Sequence, residues 1–291
     1  MTQIGQGSPS HTIALPSVKK SVTLAWAALT DTGHRREVNE DSVVTQSPIF
    51  AVADGMGGHS AGDVASNAVV TRLAELATGP ADDTAPADDS VPADGSAPGV
   101  TTAESINRAL ALAVDDMKAG EGVTDLGTGT TVTGVALGIV SDAPQFIAFN
   151  IGDSRVYQLT SGMLEQVTVD HSVVQELVDA GRITREEADV HPHGNVITRA
   201  VGFHEPPVPD YRILPLTPGL RILVCSDGLT KELTAYGIRH FLMSNPKPDD
   251  AVAALVHAAL ENGGRDNVTA IVLDVQSVDD LVDAAVDAAQ A

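Results

Sequence analysis

The stretch FAVADGMGGHSAGDVAS, residues 50–66, joins an apolar segment to a helical pattern through a carboxylate and several glycines. The apolar part ends on Asp54 and Gly55, and three further glycines follow by position 62. Glycine-rich turns between a strand and a helix often bind phosphate, because backbone N–H groups at the helix N-terminus face the anion. A carboxylate at the mouth of such a turn would repel phosphate, so we expect a cation between the two.

Two other carboxylates stand at the margins of apolar strands. The segment ILVCSDG, residues 222–228, ends on Asp227-Gly228, and GGRDNVTAIV places Asp266 just before the last predicted strand. Taken alone, an Asp-Gly pair after a strand is typical of a turn. If the carboxylates converge, each pair about 4 Å apart repels by about 4 kcal/mol at an effective dielectric constant near 20. A cation would offset this repulsion, and ligation by oxygen alone favours Mg²⁺, Mn²⁺ or Ca²⁺.

A charged segment upstream, HRREVNEDS at residues 34–42, places Arg36 near Glu40 and Asp41. One interpretation is a solvated hairpin. The functional interpretation is an arginine that binds phosphate and two acids that hold metal-bound water.

Composition limits the possible partners and location of the chain. Its 291 residues are 43% hydrophobic, enough for one large domain or two small ones, and the formal net charge is −22. Such an acidic chain is not expected to bind nucleic acid or anionic membrane surfaces. Cys225 is the only cysteine, which excludes an intramolecular disulfide. Without an apolar run of roughly 18 residues or a secretory signal, the chain is predicted to be cytoplasmic.

The sequence predicts one domain with two tails and one insertion. Residues 1–20 are interpreted as a flexible N-terminal tail, and residues 276–291 as an acidic C-terminal tail. Residues 78–100 are rich in Pro, Ala and Asp, which predicts a disordered acidic insertion within the domain at 21–275. Predicted strands come mostly in runs with helices between the runs, which favours an α+β fold.

Seven short motifs occur in a fixed order along the chain. They are R-x-x-N-E-D, D-G-M-G-G-H-x-x-G, G-T-T, G-D-S-R, D-H-S, S-D-G-L and G-G-x-D-N-V-T. In this order they resemble the metal-dependent serine/threonine protein phosphatases of the PPM (PP2C) family, bacterial branch, over about residues 22–275. The resemblance implies an α-β-β-α four-layer sandwich of two antiparallel sheets flanked by helices. It also implies a flap subdomain at residues 171–203, which would carry substrate preference.

The resemblance implies hydrolysis of phosphoserine and phosphothreonine in proteins by a water that bridges two Mn²⁺ or Mg²⁺ ions. Asp54 would bridge both ions, and the backbone carbonyl of Gly55 would bind one of them. Asp227 and Asp266 would complete the shell of the other ion. A third ion would be held partly by Asp125, although its spacing to G-T-T is one residue shorter than the family pattern.

The resemblance also implies roles for residues that do not ligate the metals. Arg36 would bind the phosphate oxygens, and Glu40 and Asp41 would orient metal-bound water. His59 would be the general acid for the leaving oxygen, with a bystander in the glycine-rich loop as the alternative interpretation. Phosphorylated proteins, among them a serine/threonine kinase and its substrates, are the expected partners of a chain expected to be a monomer.

Several other residues of the motifs are predicted to have structural roles and no part in catalysis or metal binding. Asp153 and Arg155 are predicted to be structural, with Arg155 paired to a neighbouring acid. The flap histidines are predicted to be packing or surface residues and not metal ligands; they are His171, His191 and His193.

The motifs of other enzyme classes match this sequence less well. Cys225 begins C-x5-K and not the C-x5-R of a cysteine phosphatase, so a buried core thiol is favoured. Ser60 stands where a dinucleotide-binding G-x-G-x-x-G needs its third glycine, and the Gly-Lys-Ser/Thr of a P-loop is missing. The main alternative is a catalytically silent PP2C-like phosphoprotein-binding regulator. That alternative predicts a lost metal ligand, whereas all the implied aspartates of the two-metal site are present together with Arg36.

Overall fold

The part of the chain that the structure describes forms two β-sheets, and the first of them has seven strands. The computed structural model describes residues 1–57, 61–77, 100–119, 128–189, 191–203 and 206–281. The strands of this sheet are β1 (Gln3–Gly5), β4 (Asp41–Gln46), β5 (Ile49–Met56), β6 (Gly129–Thr130), β7 (Val132–Val140), β8 (Ala143–Ile151) and β11 (Asp210–Pro215). Their order is β1-β4-β5-β7-β8-β11, with β6 paired to the end of β5. All pairs are antiparallel except β1 with β4, which is parallel.

The second sheet has six strands, all antiparallel. They are β2 (Ser8–Leu15), β3 (Lys20–Asp31), β9 (Arg155–Thr160), β10 (Met163–Gln166), β12 (Arg221–Cys225) and β13 (Val268–Asp280). Their order is β10-β9-β12-β13-β3-β2, so the long strand near the C-terminus lies in the middle of the sheet, beside β3.

Helices cover the outer faces of both sheets. Against the first sheet pack α1 (Ala61–Glu75) and α2 (Ala103–Ala119). Against the second pack α5 (Asp227–Thr230), α6 (Ala235–Ser244) and α7 (Pro248–Glu261). Two short helices, α3 (Val173–Asp179) and α4 (Arg185–Asp189), lie between β10 and β11 in the chain, and a 3₁₀ turn spans Pro16–Val18. Among the described residues, no helix is long and apolar enough to cross a membrane.

Alternation along β5 shows how the layers form. Phe50 and Val52 face the apolar core between the sheets, whereas Ile49 and Ala51 face the helices. Successive side chains of a strand point to opposite faces, so a strand buried on both faces is apolar throughout. Trp26 on β3 contacts Phe50 across the central core, with ring centroids 5.0 Å apart. The predicted α-β-β-α four-layer architecture is therefore confirmed, except that the first sheet contains one parallel pair.

The prediction of a flexible tail at residues 1–20 is wrong. Residues 3–5 and 8–15 are edge strands, one in each sheet, and Ile13 and Leu15 are buried in the central core. These strands are short and largely polar, so local composition does not identify them. They form because the edges of β4 and β3 offer backbone hydrogen-bond partners far away in the sequence.

The C-terminal prediction is corrected in part. Residues 276–280 do not belong to a tail but continue β13, where Val278 packs against the central core. Residues 282–291 lie outside the described part of the chain. The same is true of residues 78–99 of the predicted insertion, whereas Val100 is described and is buried.

Candidate metal centre

Carboxylates from both sheets meet at one end of the sandwich. Asp41 begins β4 and lies directly opposite Asp54 on β5. In the other sheet, Asp227 follows the end of β12, and Asp266 precedes the start of β13, which pairs with β12. Strand ends can bring carboxylates together because the sheet fixes the backbone while the last side chain projects beyond the packed core.

Asp41 links the two sheets at this end. Its Oδ2 accepts hydrogen bonds from the hydroxyls of Ser226 (2.9 Å) and Thr269 (2.6 Å), both in the opposite sheet region. Its Oδ1 is buried and has no hydrogen-bond partner among the described residues. Burial raises the pKa of Asp41 to about 7, with repulsion from Asp227 adding to the effect. A buried oxygen without a donor is costly unless a cation or water satisfies it.

The backbone of Asp54 is held by hydrogen bonds on both its N–H and its carbonyl group. Its N–H donates to the hydroxyl of Thr131 (3.1 Å), and its carbonyl accepts from the Thr131 N–H and from the Thr130 hydroxyl, both at 2.9 Å. Burial raises the pKa of Asp54 well above its usual value, and the nearby carboxylates, with Asp41 first, raise it further. The Gly-Thr-Thr motif therefore holds the backbone of a residue whose carboxylate is repelled by its acidic neighbours.

Gly55 and Gly62 allow the strand and the next helix to approach closely. A Cβ at Gly55 would collide with the carbonyl oxygen of Gly62 and would lie 2.7 Å from the carbonyl oxygen of Glu40. A Cβ at Gly62 would lie 2.7 Å from Oε1 of Glu40. Both glycines are thus required by backbone proximity, and the Glu40 carboxyl is placed beside them. Burial raises the pKa of Glu40, whereas Arg36 opposes the rise.

Basic side chains neutralise the half of the cluster contributed by the second sheet. Arg36 holds Asp266 with two bonds, from Nε to Oδ1 (2.8 Å) and from Nη2 to Oδ2 (3.0 Å). Lys231 Nζ lies 2.5 Å from Oδ2 of Asp227 and 3.3 Å from Oδ2 of Asp266. Burial raises the pKa of Asp227, and Lys231 opposes this rise. Burial also acts to raise the pKa of Asp266, but hydrogen bonds from Arg36 and the charge of Lys231 lower it overall.

Asp153 completes the acidic cluster, although its sequence motif predicts only a structural role. Burial raises its pKa to about 7, and the charges of Asp227 and Asp170 add to this effect. Its neighbour Arg155 pairs with Asp170 at 2.6 Å, which confirms the predicted ion pair of Arg155 with a nearby acid.

The flap is fastened beside this cluster. Isolated bridges join Ser172 to Ile197 and Val201 to Thr130, the residue whose hydroxyl holds the Asp54 carbonyl. His171 is buried, and its Nδ1 accepts a hydrogen bond from the N–H of Gly152 (3.1 Å). Residues 171–203 contain two short helices, α3 and α4.

Most sequence-predicted site residues therefore come together. Those that meet at this end of the sandwich are Arg36, Glu40, Asp41, Asp54, Gly55, Asp227 and Asp266. The other two predicted residues, His59 and Asp125, lie outside the described part of the chain. Sequence reasoning missed Lys231, although its position four residues after Asp227 in a helical turn is a spacing at which ion pairs form.

The oxygen donors of this cluster suit a hard divalent cation, but basic side chains compete for some of the same oxygens. They are carboxylate and carbonyl oxygens, and buried Oδ1 atoms of Asp41 and Asp227 have no partner among the described residues. Within that same part of the chain, no three His, Cys, Asp or Glu side chains converge closely enough to hold an ion. Arg36 contacts both carboxylate oxygens of Asp266, and Lys231 contacts Oδ2 of Asp227 and of Asp266, so these oxygens are shared with positive side chains.

Comparison with known proteins finds relatives that are named as phosphatases. A sequence model of a family described as Protein phosphatase 2C matches residues 32–262. The serine/threonine protein phosphatase PstP of Mycobacterium tuberculosis is 39% identical over 259 residues, which are 89% of this chain and 46% of that protein. The serine/threonine phosphatase stp of Listeria monocytogenes is 32% identical over 256 residues, which are 84% of this chain and 93% of that protein. The chain thus spans about half the length of the first relative.

Solved structures resemble the chain over the same region. A crystal structure of the catalytic domain of PstP, in complex with two manganese ions, matches with a TM-score of 0.68 at 35% identity. The match covers 87% of this chain and 99% of that one.

Proposed function

The chain belongs to the protein phosphatase 2C family, and on this premise we propose that it is a metal-dependent protein serine/threonine phosphatase. The supporting observation is the meeting of Asp41, Asp54, Asp227 and Asp266 at one end of the sandwich, beside Arg36. The proposed reaction breaks the phosphorus–oxygen bond of phosphoserine or phosphothreonine. Water supplies the new oxygen on phosphorus, and the products are the free hydroxyl and inorganic phosphate.

Two Mn²⁺ or Mg²⁺ ions are the proposed cofactors. The residues that would hold them are Asp54, Asp227 and Asp266 through their carboxylates and Gly55 through its backbone carbonyl. When bound, such ions lower the pKa of water and offset the charge of the phosphate. The manganese-bound PstP structure supports this choice of metal. A third ion held partly by Asp125 stays a prediction.

Arg36 is the proposed phosphate-binding residue. Its side chain is 49% exposed, so the guanidinium faces the solvent from which substrate arrives. The planar fork of arginine binds two phosphate oxygens at once. Asp266 holds the guanidinium through Nε and Nη2, which fixes its direction before substrate binds.

Acidic neighbours are proposed to orient the water. Asp41 keeps one oxygen on two hydroxyls while its Oδ1 has no partner among the described residues, so this oxygen can accept a hydrogen bond from water. Glu40 stands beside Gly55 and Gly62 in the same region. The proton for the leaving serine or threonine oxygen is assigned to His59, which stays a prediction from the sequence.

The biological setting is proposed from the relatives. Their names support phosphorylated proteins as substrates, and a serine/threonine kinase with its substrates is the proposed partner set. A cytoplasmic location and a monomeric state stay predictions. The domain is proposed to include the edge strands near the N-terminus, in addition to residues 21–275.

One observation favours a second candidate, a catalytically silent phosphoprotein-binding regulator. Lys231 supplies a positive charge to Asp227 and Asp266, and a chain with its own cation could keep this fold without metal. Such a regulator would bind phosphopeptides without releasing phosphate.

Hydrolysis of p-nitrophenyl phosphate and of a phosphothreonine peptide, with and without Mn²⁺, separates the two candidates. We expect Mn²⁺-dependent turnover in the wild type and a loss of about a thousandfold or more in Asp54→Asn, roughly 4 kcal/mol of barrier. The neutral amide removes a repelled buried charge, so the melting temperature of this variant in chelator should not fall. Asp280→Asn, at an exposed ion pair with Lys20, is the matched control. Absence of turnover in the wild type, or full turnover in Asp54→Asn, would refute the phosphatase proposal.

A further inference from the structure

Lys231 faces more carboxylates than a single ion pair requires. It follows the short helix α5 and lies four residues after Asp227, with Nζ 2.5 Å from one oxygen of Asp227. The same nitrogen lies 3.3 Å from Asp266 and interacts electrostatically with Asp153. The Lys231 ammonium is thus placed where it can donate to carboxylate oxygens of both aspartates.

The positive charge is distributed unevenly over the cluster. Arg36 and Lys231 both contact the carboxylates of the second-sheet side. Among the described residues, Asp41 and Asp54 of the first sheet form no ion pair with a lysine or arginine. Asp41 is held by neutral hydroxyl donors. Within the described part of the chain, lysine and arginine thus contact only the second-sheet half of the candidate metal centre.

We propose that Lys231 is a built-in cation that competes with a divalent ion for Asp227 and Asp266 and thereby weakens metal binding. This inference rests on the metal site of the proposed function. An ammonium within about 4 Å of a divalent ion repels it even at an effective dielectric constant of about 20. Metal binding must therefore displace the Lys231 ammonium from Asp227 or share the carboxylate with it. The flexible four-carbon stem of lysine permits such a displacement, unlike a rigidly held guanidinium.

Two consequences follow for the behaviour of the protein. The Asp227 and Asp266 carboxylates stay partly neutralised at low metal concentration, so the fold does not depend on metal for this half of the cluster. A higher concentration of free metal is then needed to occupy the site than would be needed if Lys231 were absent.

The test is metal affinity, measured separately from turnover. Lys231→Gln removes the charge and keeps a polar side chain, and Lys231→Arg keeps the charge. Lys20→Gln is the matched control, because Lys20 pairs with Asp280 at 2.7 Å at the far end of β13. The full chain, freed of metal with chelator, is titrated with Mn²⁺ by calorimetry and melted with and without Mn²⁺.

We expect Lys231→Gln to bind Mn²⁺ at least about tenfold more tightly than the wild type, since the repelling charge is gone. Its melting temperature in chelator should fall and its Mn²⁺-induced rise should be larger. Lys231→Arg should bind no more tightly than the wild type, and Lys20→Gln should match it. If Lys231→Gln folds only with Mn²⁺, withdrawal of the metal by graded chelator gives the same comparison.

Equal or weaker Mn²⁺ binding by Lys231→Gln would overturn the proposal. So would a raised KM for phosphopeptide at unchanged Mn²⁺ affinity, which would make Lys231 a substrate-binding residue. Failure of the phosphatase proposal is distinguishable from either result. In that case the wild type releases no phosphate at saturating Mn²⁺, whatever the affinities of the variants.

Discussion

Two adjacent arginines illustrate how the setting of a residue determines its role. Arg36 is tied to Asp266 by two bonds at the acidic cluster. Arg35 is exposed and forms no ion pair with any of the described residues. The two side chains have the same charge and length and are adjacent in the chain. A difference in activity between their variants therefore reflects the contacts of Arg36 and not the overall charge.

We predict that Arg36→Gln raises the KM for a phosphothreonine peptide about tenfold or more, equivalent to about 1.4 kcal/mol, since a charge-assisted contact to phosphate is lost. Arg35→Gln removes the same charge and should leave KM within about twofold, because exposed charges are largely screened. Steady-state kinetics at saturating Mn²⁺ measure both. An equal rise in the two variants would mean that only the general positive charge matters.

At the scale of elements, the flap is tied to the sandwich through His171. The backbone N–H of Gly152 can only donate, so Nδ1 of His171 must accept, and the neutral ring carries its proton on Nε2. Nε2 then donates to Asp210 (3.1 Å), and Arg199 bonds to the same carboxylate. Burial lowers the pKa of His171, Asp210 opposes this effect, and Arg199 adds to it.

This contact predicts a pH dependence of stability. Because the folded-state pKa lies below the unfolded value of about 6.5, the His171 contribution is complete above pH ~6.5 and is lost as pH falls through the folded pKa. His171→Asn keeps an acceptor for Gly152 but does not titrate. The stability difference between wild type and variant should therefore shrink from pH 7.5 to pH 5.

Urea unfolding of both proteins at each pH measures this difference. It isolates His171 from Asp41 and Asp153, whose raised pKa values near 7 give the opposite slope, with stability lost as pH rises. A difference that is constant with pH would show that His171 ionisation is not coupled to folding.

At the scale of the whole molecule, residues near the N-terminus contribute to the central core. Trp26, the only tryptophan, donates from Nε1 to the carbonyl of Gln6 (2.8 Å) and contacts the His11 ring. Ile13 and Leu15 of β2 are buried in the core between the sheets. The edge strand therefore covers the tryptophan as well as completing the sheet.

We predict that Leu15→Ala lowers the free energy of unfolding by about 2–5 kcal/mol, as truncation of a buried leucine does. Ile213→Ala on edge strand β11, where the side chain is 43% exposed, should cost much less. Removing residues 1–15 should shift the Trp26 emission to longer wavelength by admitting water. Chemical unfolding and fluorescence measure these effects, and an unchanged stability in Leu15→Ala would restore the interpretation of a dispensable tail.

The sequence was informative where chemistry and local pattern coincide. Asp54 and Asp227 could be predicted as candidate metal ligands because each follows an apolar strand, whereas the site role of Gly55 is implied only by the family resemblance. The strands at residues 3–15 could not, since pairs such as Gln3 with Val43 are set by distant edges and not by local propensity. The role of Lys231 could not be predicted from the sequence, because its second carboxylate partner, Asp266, is brought near only by the fold.

The position of β13 also determines the order in which the molecule can be completed during synthesis. β13 pairs with β3 from Val268 opposite Asp31 to Asp280 opposite Lys20, a closure over more than two hundred residues. Such long-range pairing is entropically expensive and slow, and it cannot begin before β13 itself has left the ribosome. Asp266 directly precedes this strand, so it joins the other carboxylates only at that stage. A nascent chain therefore carries no assembled acidic cluster until synthesis of the domain is finished.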